Sequence, residues 1–298
     1  MKFIYGIFCF FILSIQGCSQ QTDTVQLPET VKAENNGLPE YHFAVHPLHN
    51  PTRLFEVFHP LIEYLNNNIP EATFEVEASR NYASFDDKLK NRSVPFALPN
   101  PYQTLIAMEH GYNVIAKMGD DENFKGIILV RKDSGITKPS DLKGKTVSYP
   151  APTALAATIL PQYYLQTHGL DINQDIENKY VGSQESSIMN VFSGTVAAGA
   201  TWPPPWNALS AENPELKKQL KVIWQTQSLP NNSVVVRDDI PKKIAIKVQK
   251  LMADLHKHPE GQEILQRMYL SQFEKADNTT YQTVQNFIKN FEQKVRPL

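Results

Sequence analysis

Two rounds of strand–helix alternation constrain this chain more than any other feature. His42-Phe43-Ala44-Val45 reads as a first strand, and Leu54, Phe55, Phe58, Leu61, Ile62 and Leu65 then recur at helical spacing. Thr73–Glu77 and Val94–Leu98 are further strands, with a short helix over Asp86–Asn91 between them. Tyr102–His110 reads as a helix capped by Gly111, followed by strands at Asn113–Lys117 and Gly126–Arg131. After Lys132-Asp133-Ser134-Gly135 the pattern restarts. It runs through strands near Lys145–Tyr149, Lys179–Val181, Thr195–Ala200 and Lys221–Gln225, with helices between them. Val234–Arg237 reads as a strand returning to the first sheet, and the chain is helical from Pro241 to its end. Repeated strand–helix–strand units of this kind build open, mostly parallel α/β sheets with helices on both faces. Two rounds imply two lobes, 41–133 plus 231–298 and 134–230, with chain crossings near Asp133–Pro139 and Thr226–Asn232. Ligands of such sheets bind beyond the carboxyl ends of the strands, so two lobes can hold a small molecule in the cleft between them.

The second round opens on Asp141–Gly169, a turn, a strand, a tight loop and a helix. Lys145-Thr146-Val147-Ser148-Tyr149 has β-branched and aromatic content, and Pro150-Ala151-Pro152 stops it. Thr153 is the expected N-cap of a helix reaching His168, with Gly169 just past its end. The unpaired N–H groups and the positive dipole end of such a helix favour an anion or a polar oxygen above the sheet.

The N-terminus has a different character. Met1-Lys2 precedes an apolar run from Phe3 to Ile15, too short to span a membrane comfortably. Leu13-Ser14-Ile15-Gln16-Gly17-Cys18 resembles a bacterial lipoprotein box, in which cleavage precedes the cysteine and lipid joins its sulfur. Residues 1–17 are therefore expected to be a signal peptide, and 18–40 a lipidated cysteine with a flexible polar tether. The chain's two cysteines are Cys9 and Cys18, so neither a disulfide nor a thiolate site is expected in the folded part. A formal net charge of −2 with interspersed charges gives no footprint for nucleic acid. An extracytoplasmic location, held to a membrane by lipid on Cys18, follows from the leader and the box together.

Several segments resemble the phosphonate branch of bacterial substrate-binding proteins, the capture subunits of ABC importers. They are Asp141-Leu142-Lys143-Gly144-Lys145-Thr146-Val147 with Pro152-Thr153 and Pro161, Gly182-Ser183-Gln184-Glu185-Ser186, and Gly194–Thr201. Arg131–Ile136, Trp224-Gln225-Thr226 and Leu229-Pro230-Asn231 add to the likeness. The resemblance implies a two-lobed type II periplasmic-binding fold, a small-molecule ligand, and separate permease and ATPase partners. No GxxxxGK[ST] phosphate loop is present. The family usually carries a Ser-Thr-Ser run after Pro-Thr that grips the phosphonate; here those places hold Ala154, Leu155 and Ala156. The family's acidic residue on the later strand is replaced by Ala197. Hydrogen bonds to a charged group contribute about 1.5–3 kcal/mol each, so these replacements point to a less anionic or aromatic ligand.

Strand ends then supply the candidate ligand-binding residues: Asn50, Tyr82, Asn100, Tyr102, Thr153, Ala154, Leu155, Glu185, Trp202 and Trp206. Thr201-Trp202-Pro203-Pro204-Pro205-Trp206 would hold two indoles as a stacking wall, or pack them into their own lobe. His42, His46, His49 and His59 straddle a strand, a loop and a helix, and read as packed or solvated groups rather than metal ligands. No cofactor, no metal and a monomeric state are expected. Two other roles fit the same fold: a ligand sensor signalling to a membrane kinase, and an exported enzyme using Glu185 and a histidine as acid and base. The chain lacks the G-x-S-x-G and H-E-x-x-H signatures, and it is expected not to be an enzyme.

Overall fold

The computed structural model describes residues 37–298. The expected signal peptide, Cys18 and the tether up to residue 36 lie outside the described residues. The chain begins with β1 (Glu40–Val45), α1 (Pro51–Asn68), β2 (Thr73–Glu77), α2 (Tyr82–Lys90), β3 (Phe96–Leu98), α3 (Pro101–Glu109) and β4 (Tyr112–Met118). Next come β5 (Lys125–Arg131), β6 (Lys145–Tyr149), α4 (Leu160–Thr167), β7 (Ile176–Tyr180), α5 (Gln184–Phe192) and β8 (Ala198–Thr201). They are followed by α6 (Pro203–Glu212), α7 (Pro214–Gln219) and β9 (Leu220–Ser228). The last elements are β10 (Ser233–Arg237), α8 (Lys242–Asp254), α9 (Pro259–Arg267), β11 (Phe273–Lys275) and α10 (Gln282–Lys294). Among the described residues no helix is long and apolar enough to cross a membrane.

Local chemistry explains where the helices begin. Asn50 accepts a hydrogen bond from the Arg53 amide (3.0 Å) ahead of Pro51, and the buried stripe Leu54, Val57, Phe58, Leu61, Ile62 and Leu65 fixes which face of α1 turns inward. Asn100 and Gln103 form a reciprocal capping box at α3, and Ser183 caps α5 through the Ser186 amide. The head of α4 departs from expectation. Thr153 is not its cap: Ala154 stands there without a side-chain bond, and Leu155–Ile159 forms a π-helical turn running into α4. Both the Thr158 and Ile159 amides use the Ala154 carbonyl. Pro161 supplies the reason, because its ring would clash with the carbonyl four residues back in a regular α-turn. Gly126 on β5 makes room for the bulge: a Cβ there would lie 2.5 Å from the Ala156 carbonyl oxygen and 2.6 Å from the Pro161 ring.

Two sheets organise the chain, a six-stranded one ordered β11-β4-β10-β3-β1-β2 and a five-stranded one ordered β7-β6-β8-β5-β9. Both are mixed rather than mostly parallel. β1 pairs in parallel with β2 and β3, and β6 with β7 and β8. Strands that follow a crossing enter antiparallel: β5 against β8 and β9, and β10 against β3 and β4. The boundary expected at residue 133 therefore moves. β5 belongs to the second sheet, and the first crossing is Gly119–Phe124, while 133–139 only links β5 to β6. The run Ile127–Val130 is buried throughout, as suits a strand with a neighbour on each side. The second crossing, Leu229–Asn232, lies beside the first. Asn231 donates its amide to Asp121 (2.9 Å) and its side chain to the Gly119 carbonyl (2.7 Å), and the Tyr281 hydroxyl donates to the Asn231 carbonyl (2.5 Å). β11 closes the edge of the first sheet; its three residues carry too short a pattern to be read from the sequence.

The end of the chain bridges the two halves. Arg296 donates to the Gln162 side chain (3.0 Å) and to the Pro152 carbonyl (2.7 Å), and Asn173 donates to the Val295 carbonyl (2.8 Å). Tyr163 of α4 packs edge-on against Phe287 of α10, with ring centroids 5.1 Å apart.

Candidate functional site

Where the two halves meet, the carboxyl ends of β1, β3, β6 and β8 converge on a small enclosed cavity of about 10 Å³. His46, Tyr82 and Asn100 come to it from the six-stranded half. Phe124 and Asn232 come from the two crossings. The five-stranded half supplies the turn Ala154–Ala157, Gln184 and Trp202. Such a volume holds about one water, so apolar side chains fill most of the gap. Leu155 is 1% exposed, and Phe124 meets Trp202 edge to face at 5.5 Å. A much larger recess of about 1190 Å³ flanks this cavity, bounded by α1, α9 and α6 and bridged by the Arg53–Glu212 ion pair. We take the enclosed cavity as the candidate site because it lies at the strand ends and is walled by buried polar groups, whereas the recess is open to solvent.

Of the residues expected at the site, Tyr82, Asn100, Ala154, Leu155 and Trp202 line the cavity. The others stand elsewhere. Asn50 is spent as the α1 cap. Tyr102 is half-buried against the core. Thr153 touches the site only through its carbonyl, which accepts from the Asn100 side chain at 3.1 Å. Trp206 packs in the core of the five-stranded half with Ile188, Val191 and Leu216; it sits inside α6, whereas Trp202 is the extended residue ahead of the helix and turns its indole elsewhere. Glu185 pairs with His49 across the two halves at 3.4 Å. Burial alone would raise the Glu185 carboxyl, but the bonds from His49 and from its own amide outweigh this and hold it below the usual carboxylate range.

Five lining residues were not anticipated at the site: His46, Phe124, Ala157, Gln184 and Asn232, with Ala156 noted only as a missing hydroxyl. His46 donates from Nδ1 to the Leu98 carbonyl (2.9 Å) and lies edge-on to Tyr82 and Phe85. Burial pushes its pKa down to about 4, against the raising effect of the Leu98 bond, so the ring is neutral near pH 7. Gln184 accepts from the Thr201 hydroxyl at 2.8 Å. Asn232 is wholly buried, and its Oδ1 has no partner among the described residues. Among the described residues neither Lys nor Arg lines the cavity. The four histidines do not converge: His42 sits between Glu40 and Glu77, His46 on Leu98, His49 on Glu185 and His59 on Glu63. Glu40, His42 and Glu75 do bring one ligand atom each within 4.8 Å of one another, on the partly exposed face of β1 and β2.

The fold has known counterparts. A structure of the binding-protein component of an ABC phosphonate transporter from Pseudomonas aeruginosa superposes with a TM-score of 0.78 at 17% identity, covering 86% of this chain and 88% of that one. PhnD1 from Prochlorococcus marinus, in complex with methylphosphonate, gives 0.78 at 18% identity over 85% and 98%. XAC2383 from Xanthomonas citri, bound to ATP, gives 0.68 at 16% over 86% and 99%. In sequence, the probable ABC transporter phosphite binding protein PhnD1 of Prochlorococcus marinus is 24% identical over 186 residues, 58% of this chain and 62% of that protein. The phosphonates-binding periplasmic protein of Escherichia coli K12 is 23% identical over 156 residues, 51% of this chain and 46% of that protein. The matched stretches thus span about three-fifths and about half of these relatives. A family model described as the periplasmic substrate-binding protein of phosphonate ABC transporters matches residues 43–281. With that match running from β1 to the start of α10, through both sheets and every wall of the cavity, the chain belongs to the phosphonate-type periplasmic substrate-binding protein family.

Proposed function

We propose that this protein is an extracytoplasmic solute-binding protein, held to a membrane by lipid on Cys18. It captures a small molecule between its two halves and presents it to the permease and ATPase of an ABC importer. Its ligand is less anionic than a phosphonate. One observation carries that last point: where the family resemblance calls for hydroxyls at the head of the α4 turn, Ala154, Leu155 and Ala156 stand, and the surrounding wall has no cationic side chain. A doubly charged oxyanion leaving water for such a cavity needs opposite charge or several hydrogen bonds in compensation. Leu155 and Phe124 provide neither, and the Trp202 indole offers a single N–H.

The direct test is mass spectrometry of whatever co-purifies with the full chain, released by unfolding. A thermal-shift panel of phosphonates, sulfonates, carboxylates, amides and aromatic acids then ranks ligand classes. A binder at 100 times its Kd stabilises the folded state by about 2.7 kcal/mol without turnover. Micromolar binding of a simple alkylphosphonate would refute the changed-ligand reading, and a panel with no stabilising member would refute capture.

A further inference from the structure

The cavity offers hydrogen-bond acceptors and donors on different walls, and their arrangement is set by bonds already made. The Leu98 carbonyl can only accept, so the His46 Nδ1 that lies 2.9 Å from it carries the proton. In a neutral ring Nε2 is then a bare lone pair. Asn232 Nδ2 points at the Met118 sulfur at 3.4 Å. Reversing that amide would set two lone-pair groups against each other, so Oδ1 is the end left in the cavity, buried and unpartnered. On another wall, Leu155, Ala156 and Ala157 open the π turn that continues into α4, and the first amides of a helix have no carbonyl ahead of them. Gln184 commits its oxygen to the Thr201 hydroxyl and meets the Tyr82 hydroxyl with its amide nitrogen, which leaves its remaining N–H as a donor. Asn100 is neutral in this count, because its oxygen serves Gln103 and its nitrogen serves Thr153.

We infer that the site selects an uncharged ligand with an acceptor oxygen beside an N–H donor, a primary carboxamide in its simplest form. The amides of the π turn and Gln184 take the oxygen, and His46 Nε2 and Asn232 Oδ1 take the N–H groups. A fully ionised oxyanion satisfies the first wall but sets its own lone pairs against the second, leaving buried acceptors unpaired on both sides. This inference rests on the capture reading and names the ligand class of that same cavity. His46 keeps its acceptor role near neutral pH. The groups facing it are the rings of Tyr82 and Phe85, and after burial and the Leu98 bond the nearby His49 also lowers its pKa.

The experiment compares propionamide, propionate and ethylphosphonate at pH 7.5 by calorimetry on the full chain, with the Asn232→Leu and His46→Phe variants. Propionamide is expected to bind at least tenfold more tightly than either anion, and each variant to lose tenfold or more of the amide affinity while leaving the anions little changed. Circular dichroism and melting curves show that a variant is folded. Tighter binding of propionate or ethylphosphonate overturns the inference while capture stands. Unaltered amide binding in both folded variants overturns it too. If none of the three probes binds, and an interlobe distance measured between attached labels responds to no compound of the wider panel, the capture reading falls and takes this inference with it.

Discussion

Replacing Leu155 by alanine tests whether the closed cavity exists in solution. Leu155 is 1% exposed at the head of the π turn, against a cavity of only about 10 Å³. Losing three carbons from a fully buried position removes about 2.4 kcal/mol at roughly 0.8 kcal/mol per methylene. The space left adds roughly 24 cal/mol per Å³ that does not collapse. Collapse is limited here, because Phe124 and Trp202 already rest on each other and Gly126 pins the turn from behind. The total expected is about 3–4 kcal/mol. At about 2–4 °C per kcal/mol for a domain of this size, the melting temperature falls by roughly 6–16 °C. Urea titration of the full chain measures this directly, with Ile246→Ala, 61% exposed on α8, as a control expected within about 0.5 kcal/mol of wild type. A loss below about 1 kcal/mol for Leu155→Ala would mean that this side chain stands in water in the folded protein. The two halves would then be apart at this point, and the reasoning about the cavity's walls would fail.

Three other perturbations follow from particular contacts. Burial raises Asp86 to about 6 despite the bond from Gln103 (2.6 Å), so its folded pKa exceeds its unfolded one and stability drops as pH climbs through about 4 to 6. Asp86→Asn should match wild type near pH 4 and exceed it by about 3 kcal/mol above pH 7, as seen in urea midpoints across pH. Gly126→Ala puts a methyl into the Ala156 carbonyl and the Pro161 ring, and should cost about 1–3 kcal/mol by differential scanning calorimetry. Arg296→Ala removes two charge-assisted bonds across the halves, to Gln162 and Pro152; a loss of about 1–2 kcal/mol is expected, with faster proteolysis of the C-terminal tail.

What the sequence made legible follows the range of the forces involved. Helix starts are decided within four residues, yet Asn50 and Asn100, expected at the ligand, instead cap α1 and α3, Ser183 caps α5, and Thr153, the expected cap, is not one. The strand–helix alternation depends on periodicity and gave the two sheets. Pairing direction and sheet membership depend on partners 70 to 100 residues away, which is why β5 was placed in the wrong half. Trp202 and Trp206 show the same limit at close quarters. The motif presents two indoles flanking three prolines, and only the orientation of α6 sends the first to the cavity and the second to the core. Asn232 carried no local signal, because its importance comes from lying where both crossings meet. His46 reads, with three other histidines, as a packed or solvated group, and its bond to Leu98 depends on a strand 52 residues away that no local pattern signals.

Leu155 and Asn232 define opposing demands on one small space. Under the capture reading, closure buries Leu155 against Phe124 and Trp202, which favours the shut form even without ligand. The same closure strands the Asn232 oxygen and the His46 lone pair, which disfavours it. A ligand gains by relieving the second without forfeiting the first, so it must be small, bring a proton donor, and tolerate an apolar wall. On the proposed reading, hydroxyls at positions 154–156 would supply donors to an anion, and Ala154, Leu155 and Ala156 in their place shift the balance from oxygen-rich ligands toward ones that donate. Affinity is then set less by the number of bonds than by how much apolar packing the ligand disturbs when the halves meet around it. That makes Leu155→Ser the informative reversal. It lowers the apolar gain on closure and restores one hydroxyl, so the ranking of amide over anion should narrow while the fold is kept.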